Sequence, residues 1–380
     1  MVKLSNLWIC AAASFVLWQP AAHAQLKVGV VLSLTGPAAS FTKSVRNAVD
    51  LFPKEIDGEP VELIIHDDRT NVVAATTIVR KYVSDDKVDV IVGPNVTPMC
   101  VAVGPIADES NTPMITPSPV PNIEGKGKWV FNTSGAVPLF AKAVVEHMKR
   151  QNVKTLGMIG YSDTWGDQWA AALKEAGAPV GIELVSDQRF GRADTTVSGQ
   201  VLQLIARKPD AVMVAASYAG AAVPQLALTQ RGYQGLIYQT HGIDRADFMR
   251  AAGGSAEGIF FPMGPSGVAE QLPKDYPTHA QSLGFVKLYE AKYGVNSRTP
   301  SAANMYDAAE LLRAAVPIAK KKAGKPGTPA FRAALRDAIE QLKVVGAHAI
   351  LAYTASNHEV TDKASVVMVT VRKGEWVLAK

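Results

Sequence analysis

The chain has 380 residues, 39 Lys+Arg against 34 Asp+Glu, 48% hydrophobic residues, 19% charged residues and 2 cysteines. That length and apolar content predict two domains with real cores, and exclude a disordered chain, a collagen-like repeat and a disulfide-dense scaffold. The formal charge of +5 is small for the length, and no basic run alternates with aromatics, so nucleic acid is not an expected partner.

Met1 to Ala24 reads as a secretory signal. Lys3 gives the positive start, Leu7 to Trp18 is apolar but too short to span a bilayer, and Ala22-His23-Ala24 has the small-x-small form of a cleavage site. Cleavage after Ala24 would start the mature chain at Gln25 and place it in the periplasm. A lipid anchor on Cys10 is disfavoured by the bulky Ile9 before it and the apolar residues after it. Cys10 then leaves with the signal, so Cys100 remains alone and no internal disulfide can form; its apolar neighbours predict a buried thiol. The most apolar later stretch, Ala211 to Leu228, is interrupted by Ser217, Gly220 and Pro224, and reads as a strand, a turn and a helix start.

Short β-branched runs begin at Leu26 (LKVGVV), Val61 (VELII), Val88 (VDVIV), Pro113 (PMIT) and Lys128 (KWVF), with helical patterns at Val45 to Lys54, Ala74 to Val83 and Met99 to Glu109. A second series begins at Lys154 (KTLGMIG), Val180 (VGIELV), Asp210 (DAVMVAA), Gly235 (GLIY) and Glu257 (EGIFF), in the same order and at nearly constant offset from the first. Alternation of strand and helix predicts an α/β fold of two doubly wound parallel-sheet lobes. Phe285 to Tyr293, Met305 to Lys320 and Pro329 to Leu342 are predicted helices, and Val344 to Tyr353 and Ser365 to Val371 predicted strands. They complete the two lobes, giving a hinge of several crossings. The expected division is 25–133 with 264–345 for lobe 1 and 134–263 with 346–380 for lobe 2. Lys320 to Lys322 with Lys325 are expected in a solvated turn.

Ligands of such sheets bind outside the carboxyl ends of the strands, here between the lobes. After VDVIV, Thr97 suits an N-cap and Pro98 the first helical position; the helix start serves either as an ordinary cap or as an anion site. Phe41 follows the first strand, as core or cleft wall, and Ser118 lies in the proline-rich loop after PMIT. In the second lobe the strand ends carry Trp165, Ser217, Tyr218 and His241, whose aromatics offer contact area for a flat ligand. His241 has no metal-ligand pattern around it, and no metal or cofactor is expected. G-x-S-x-G, H-E-x-x-H and phosphate-loop motifs are absent, Glu124 to Lys128 precedes a strand rather than following one, and Asp67-Asp68 suit capping and turn roles. An enzyme is not expected.

The runs KVGVVLSLTGPAAS, HDD, GP-x-x-T followed by PIADESNTPMITPS, and SDTWG together resemble the type I periplasmic solute-binding proteins of branched-chain amino-acid ABC importers, the leucine-binding protein-like family, over essentially all of the mature chain. The resemblance implies a monomeric bilobed receptor (periplasmic binding protein-like I) that delivers a small-molecule ligand to membrane permease and ATPase subunits. It also implies that Phe41 packs on the ligand, Thr97 holds its carboxylate, Ser118 and Val120 line the pocket, and Trp165 with Ser217 or Tyr218 covers it. His241 stands where leucine-binding members carry the acid that receives the ligand ammonium, Val137 where an Asp usually follows the first crossing, Val120 where a hydroxyl residue stands, and Thr70 and Val96 in place of paired cysteines.

A buried ammonium with no carboxylate partner is costly to desolvate. The favoured ligand is therefore a carboxylate without an α-ammonium, an aromatic acid such as a benzoate or cinnamate relative. A hydrophobic or branched-chain amino acid, and an amide or urea-type solute, are the alternatives. Of a different class is a ligand-sensing receptor domain in the periplasm. An ionic role for His241 would make affinity rise as pH falls through its titration.

Overall fold

The computed structural model describes residues 25–121, 127–243 and 247–379. The signal segment with Cys10, and Glu124 to Lys126 of the glycine-containing loop, lie outside them. Among the described residues no helix is long and apolar enough to cross a membrane.

The first lobe runs β1 (Leu26–Leu32), α1 (Ala39–Val49), β2 (Glu55–Ile56), β3 (Glu59–Asp67), α2 (Val72–Lys81), β4 (Val90–Val92), α3 (Thr97–Ser110), β5 (Met114–Thr116) and β6 (Val130–Asn132). The second runs α4 (Val137–Arg150), β7 (Thr155–Tyr161), α5 (Thr164–Gly177), β8 (Glu183–Phe190), α6 (Ser198–Ile205), β9 (Ala211–Ala215), α7 (Tyr218–Gln230), β10 (Leu236–Gln239), α8 (Phe248–Ala252) and β11 (Phe260–Met263). The chain ends with α9 (His279–Tyr293), α10 (Pro300–Ala323), α11 (Pro329–Gln341), the hairpin β12 (Lys343–Val345) and β13 (Ile350–Ala352), then β14 (Val367–Arg372) and β15 (Glu375–Leu378).

The strands order as β2-β3-β1-β4-β5-β6 in one sheet and β15-β14-β11-β10-β9-β7-β8 in the other. Leaving aside the antiparallel additions β2, β14 and β15, each lobe is one parallel sheet with the same order, the second strand outside the first and the third on its other side. The short apolar runs make these strands because both faces are covered by helices. Val28, Val30, Ile91 and Met114 are fully buried in one core, and Leu312 and Val316 of α10 close it. Met158, Ile159, Val212 and Val214 are buried in a separate core with Trp169 and Phe261.

Three crossings join the cores. At the first and third, the Ala136 N–H donates to the Val360 carbonyl (2.9 Å) and the Asn132 N–H to the His358 carbonyl (3.0 Å). At the second, Gly264 lies so close to the His348 ring that a β-carbon there would overlap it, and Ser266 Oγ meets His348 Nδ1 at 2.6 Å. Asp307 of α10, fully buried, accepts the N–H groups of Ala347 (2.6 Å), His348 (2.9 Å) and Ala349 (3.0 Å) and so fixes the hairpin loop against the crossing.

Several elements differ from the sequence reading. Helix α1 starts at Ala39, directly after the Gly36-Pro37 turn, because Phe41 and Thr42 are buried as its first turn. The run at Val180 ends a short 3₁₀ turn, Gly181 takes a left-handed φ of 74°, and β8 begins only at Glu183. The run from Val344 to Tyr353 is a hairpin, not one strand, since Asp307 holds its middle as a loop. Lys320 to Lys322 belong to the last turn of α10, where Lys320 pairs with Glu59 (2.9 Å) and Lys322 with Asp337 (2.8 Å). The core of the first lobe continues through Tyr353 and Val360, past the boundary expected at residue 345, because the hairpin packs there before the last crossing.

One glycine sets how closely β4 approaches β1. Gly93 has a φ of 96°, and a β-carbon on it would overlap the Val31 carbonyl oxygen. Gly93→Ala should cost at least about 2 kcal/mol, combining left-handed strain with displacement of the strand, and denaturant unfolding would measure the loss.

Candidate functional site

In a sheet of this order the connections from the first and third strands leave in opposite directions and open a crevice at their carboxyl ends. Each lobe has one, and they face each other. In lobe 1 the walls are Phe41 on α1, after β1, and Val96 with Thr97 at the start of α3, after β4. In lobe 2 they are Trp165 on α5, after β7, and Ser217 with Tyr218 at the start of α7, after β9. Ser118, after β5, and His241, after β10, complete the matching pairs. Together they line a cleft of about 450 Å³, part of it open to solvent.

The first-lobe loops are held by the carboxylates predicted for turn roles. Asp67 accepts the Thr35 hydroxyl (2.6 Å) and the N–H groups of Thr35 (3.1 Å) and Arg69 (2.8 Å). Asp68 accepts the Ser33 hydroxyl (2.6 Å) and the Thr70 N–H (2.8 Å). The buried Asn95 accepts the Ser33 N–H (2.9 Å) and donates to Thr42 Oγ1 (2.9 Å), tying the start of α3 to α1.

Thr97 is not the cap of α3. Val96 holds the extended cap position, and Thr97 is the first helical residue, with its hydroxyl buried and without a partner. Because the cap is not drawn from the threonine, the hydroxyl is left for the cleft. Ser118 also lines the cleft, with its hydroxyl donating to the Asn95 carbonyl at 2.8 Å. Val120 is not in this cleft: it borders a separate depression with Asn132, His358 and Glu359, where its N–H and carbonyl both bond the Asn132 side chain (3.2 and 2.8 Å). The proline-rich loop turns away after Pro119, and spacing along the chain could not show that.

On the second lobe, the Asp163 side chain caps α5 through the Trp165 N–H (2.9 Å), while the Trp165 indole N–H is buried without a partner. His241 is stacked on Phe140 (3.9 Å between centroids, 21°) and lies 5.0 Å from the Trp165 ring. Burial, with the nearby His348, pushes its pKa down to about 3. His241 is therefore neutral at ordinary pH. The ionic role that would make affinity depend on its titration is disfavoured: in this aromatic cluster the charged form has no counter-ion among the described residues to offset desolvation. Its Nδ1 is buried and unpartnered, so its contribution is a hydrogen bond.

Sequence reasoning missed Arg192, Asn304 and Ser301. Arg192, after β8, donates from Nε to Asp163 Oδ2 (2.6 Å) and lies over the Tyr161 ring at 4.2 Å, with its guanidinium at the cleft. Asn304 and Ser301 come from the start of α10, far along the chain, and carry no local signal. Among the described residues, no aspartate or glutamate lines the cleft. Helices α3, α5, α7 and α10 all begin there, and their dipoles favour negative charge, although Asp163 already caps α5 and Thr299 caps α10. The buried, unpartnered Thr97 hydroxyl and Trp165 indole each cost about 1–3 kcal/mol, a deficit that an accepting ligand removes.

The lobes also meet directly. Phe41 and Tyr218 stack at 3.4 Å with 5° between the rings, and the Tyr218 hydroxyl meets Ser301 Oγ at 2.7 Å.

Two matched lobes, three crossings and a cleft between them define a bilobed receptor for a small solute. The chain belongs to the periplasmic binding protein family, whose model it matches over residues 25–375. Members of that family bind small ligands and work with ABC transporter permeases. The chain is 42% identical to an extracellular ligand-binding receptor from Rhodopseudomonas palustris HaA2, with a TM-score of 0.91 over 94% of this chain and 100% of that one. It is 24% identical to the Leu/Ile/Val-binding protein BraC3 of Rhizobium johnstonii, over 91% of this chain and 92% of the relative. A solute-binding protein of an R. palustris ABC transporter, solved in complex with benzoate, shares the fold at 22% identity, with a TM-score of 0.79 over 93% of this chain and 95% of that one.

Four described histidines are buried, and three with strongly lowered pKa values make the fold sensitive to acid, an effect partly offset by the buried Asp307, pushed up to about 7. Burial holds His147 at about 4 and His348 at about 3, as it does His241, whereas the unfolded chain takes up these protons near 6.5. Their contribution to stability is complete above pH 6.5 and is lost as pH falls, by at most about 1.4 kcal/mol per pH unit for each site. Denaturant unfolding between pH 7.5 and 5 should show falling stability, with a smaller slope in His241→Asn.

Proposed function

We propose that this chain is the exported periplasmic receptor of an ABC importer, capturing an aromatic carboxylate between its lobes and presenting it to the permease and ATPase subunits. One observation carries the choice of ligand: the cleft has buried donors without partners and, at its edge, the Arg192 guanidinium paired with Asp163, while among the described residues none that lines it is an acid able to receive an ammonium. The Thr97 hydroxyl and the α3 start would hold the carboxylate, with Ser118 beside them. Phe41, Trp165 and Tyr218 would flank the ring, with Ser217 at their edge. His241 and the Trp165 indole would donate from the second lobe, and Arg192 would add positive charge. Contacts from both lobes favour the closed arrangement, so binding shifts the population toward it. The benzoate carried by the R. palustris neighbour is compatible with this reading.

A hydrophobic amino acid is the second reading. The buried Asn304 Oδ1 is an unpartnered acceptor in the cleft, and the curated relatives are Leu/Ile/Val-binding proteins. An amide oxygen lacks the charge that an ammonium needs when desolvated, which favours the first reading.

Calorimetry against benzoate, cinnamate, leucine and phenylalanine separates the two. Tight binding of an aromatic acid with neither amino acid bound is expected; the reverse would sink the proposal. Thr97→Val should weaken the acid about tenfold or more, the loss typical of a hydrogen bond to a charged group, without lowering the unfolding temperature. Because His241 is neutral, affinity for an acid already ionised should be flat between pH 8 and 5.5. A rise on acidification centred near 6.5 would restore the ionic role.

A further inference from the structure

The space between the lobes is divided in two. No exposed residue lines the inner compartment, whose empty space of about 450 Å³ is partly continuous with solvent. Beside it lies an outer compartment of about 380 Å³, rimmed by the exposed Pro37, Ser40 and Ala219. Four residues face both: Phe41, Arg192, Ser217 and Tyr218. The partition therefore contains an aromatic pair that joins the lobes, the only one among the described residues.

That pair is held in place by its surroundings rather than by its own attraction. With 3.4 Å between centroids and 5° between planes, the rings have no room for the offset that aromatic pairs prefer. Tyr218 has a φ of 52°, unfavourable for a residue with a large side chain, as the first residue of α7. Its N–H donates to the Gly242 carbonyl (2.9 Å), and its hydroxyl reaches Ser301 of the opposite lobe. These bonds aim the ring at Phe41.

We propose that the Phe41–Tyr218 pair is a length gate: it ends the inner chamber and restricts the receptor to solutes of about one ring, turning away those long enough to need the outer compartment. This rests on the reading of the inner chamber as the solute site, but it is a separate claim about which solutes fit.

Tyr218→Gly suits the test, since glycine accepts the left-handed backbone and removes the ring; Phe41→Ala removes the other half if the first variant folds poorly. In calorimetry, wild type should bind benzoate at least about tenfold more tightly than biphenyl-4-carboxylate, and either variant should close or invert that ratio. Tyr218→Phe keeps the ring and should keep the ranking. Equal binding of the two acids by wild type, or an unchanged ranking in the variants that lack a ring, overturns the gate. Acrylamide quenching of Trp165, which lines the inner chamber, tests it without any ligand. Quenching should rise in Tyr218→Gly and not in Tyr218→Phe, and no rise overturns the gate whichever solute binds. If neither acid binds while quenching rises, the gate stands and the aromatic-acid reading fails.

Discussion

The constraint on which the molecule depends is the reversal of winding direction beside the first strand of each sheet. Strands β1 and β4, and likewise β7 and β9, lie side by side while their following helices leave to opposite faces. No side chain can fill the crevice that results without breaking a helix start, so each lobe carries one at its strand ends. Facing the two crevices across three crossings makes a cleft, and it puts helix N-termini around it. A preference for negative charge is thus built into the backbone before any side chain is chosen.

Desolvation decides what the side chains can add. A histidine in water is a plausible cation; His241, between Phe140 and Trp165, is neutral. Conversely, a threonine hydroxyl is a modest group in water but a strong recognition element when buried without a partner, as Thr97 is. The same reasoning disfavours an ammonium ligand, whose charge would face Asn304 with no carboxylate among the lining residues.

The strand rhythm, the doubled lobe and most of the cleft were legible in the primary structure because parallel strands need continuous apolar runs and the loops at their ends are short. Thr97, Trp165, Ser217, Tyr218 and His241 each follow a strand within a few residues, so locating the strand nearly locates the residue, while Phe41 lies further on, in the first turn of α1. Val120 failed this rule because its loop leaves the cleft after Pro119. Arg192 was overlooked because the strand before it was placed too early, and Ser301 and Asn304 arrive on a helix that packs against the lobe from far along the chain.

The amino-acid order by itself determined the α/β class, the two lobes and the strand ends that carry the site, since these follow from local periodicity and repeat. Tertiary packing alone decided the protonation of His241, the release of the Thr97 hydroxyl from capping and the Phe41–Tyr218 partition. The partition depends on a contact across the cleft between Phe41 and Tyr218, and the protonation of His241 on Phe140 beside it in the same lobe, residues more than a hundred positions apart in each case. Distance along the chain holds no record of that proximity until both lobes have folded.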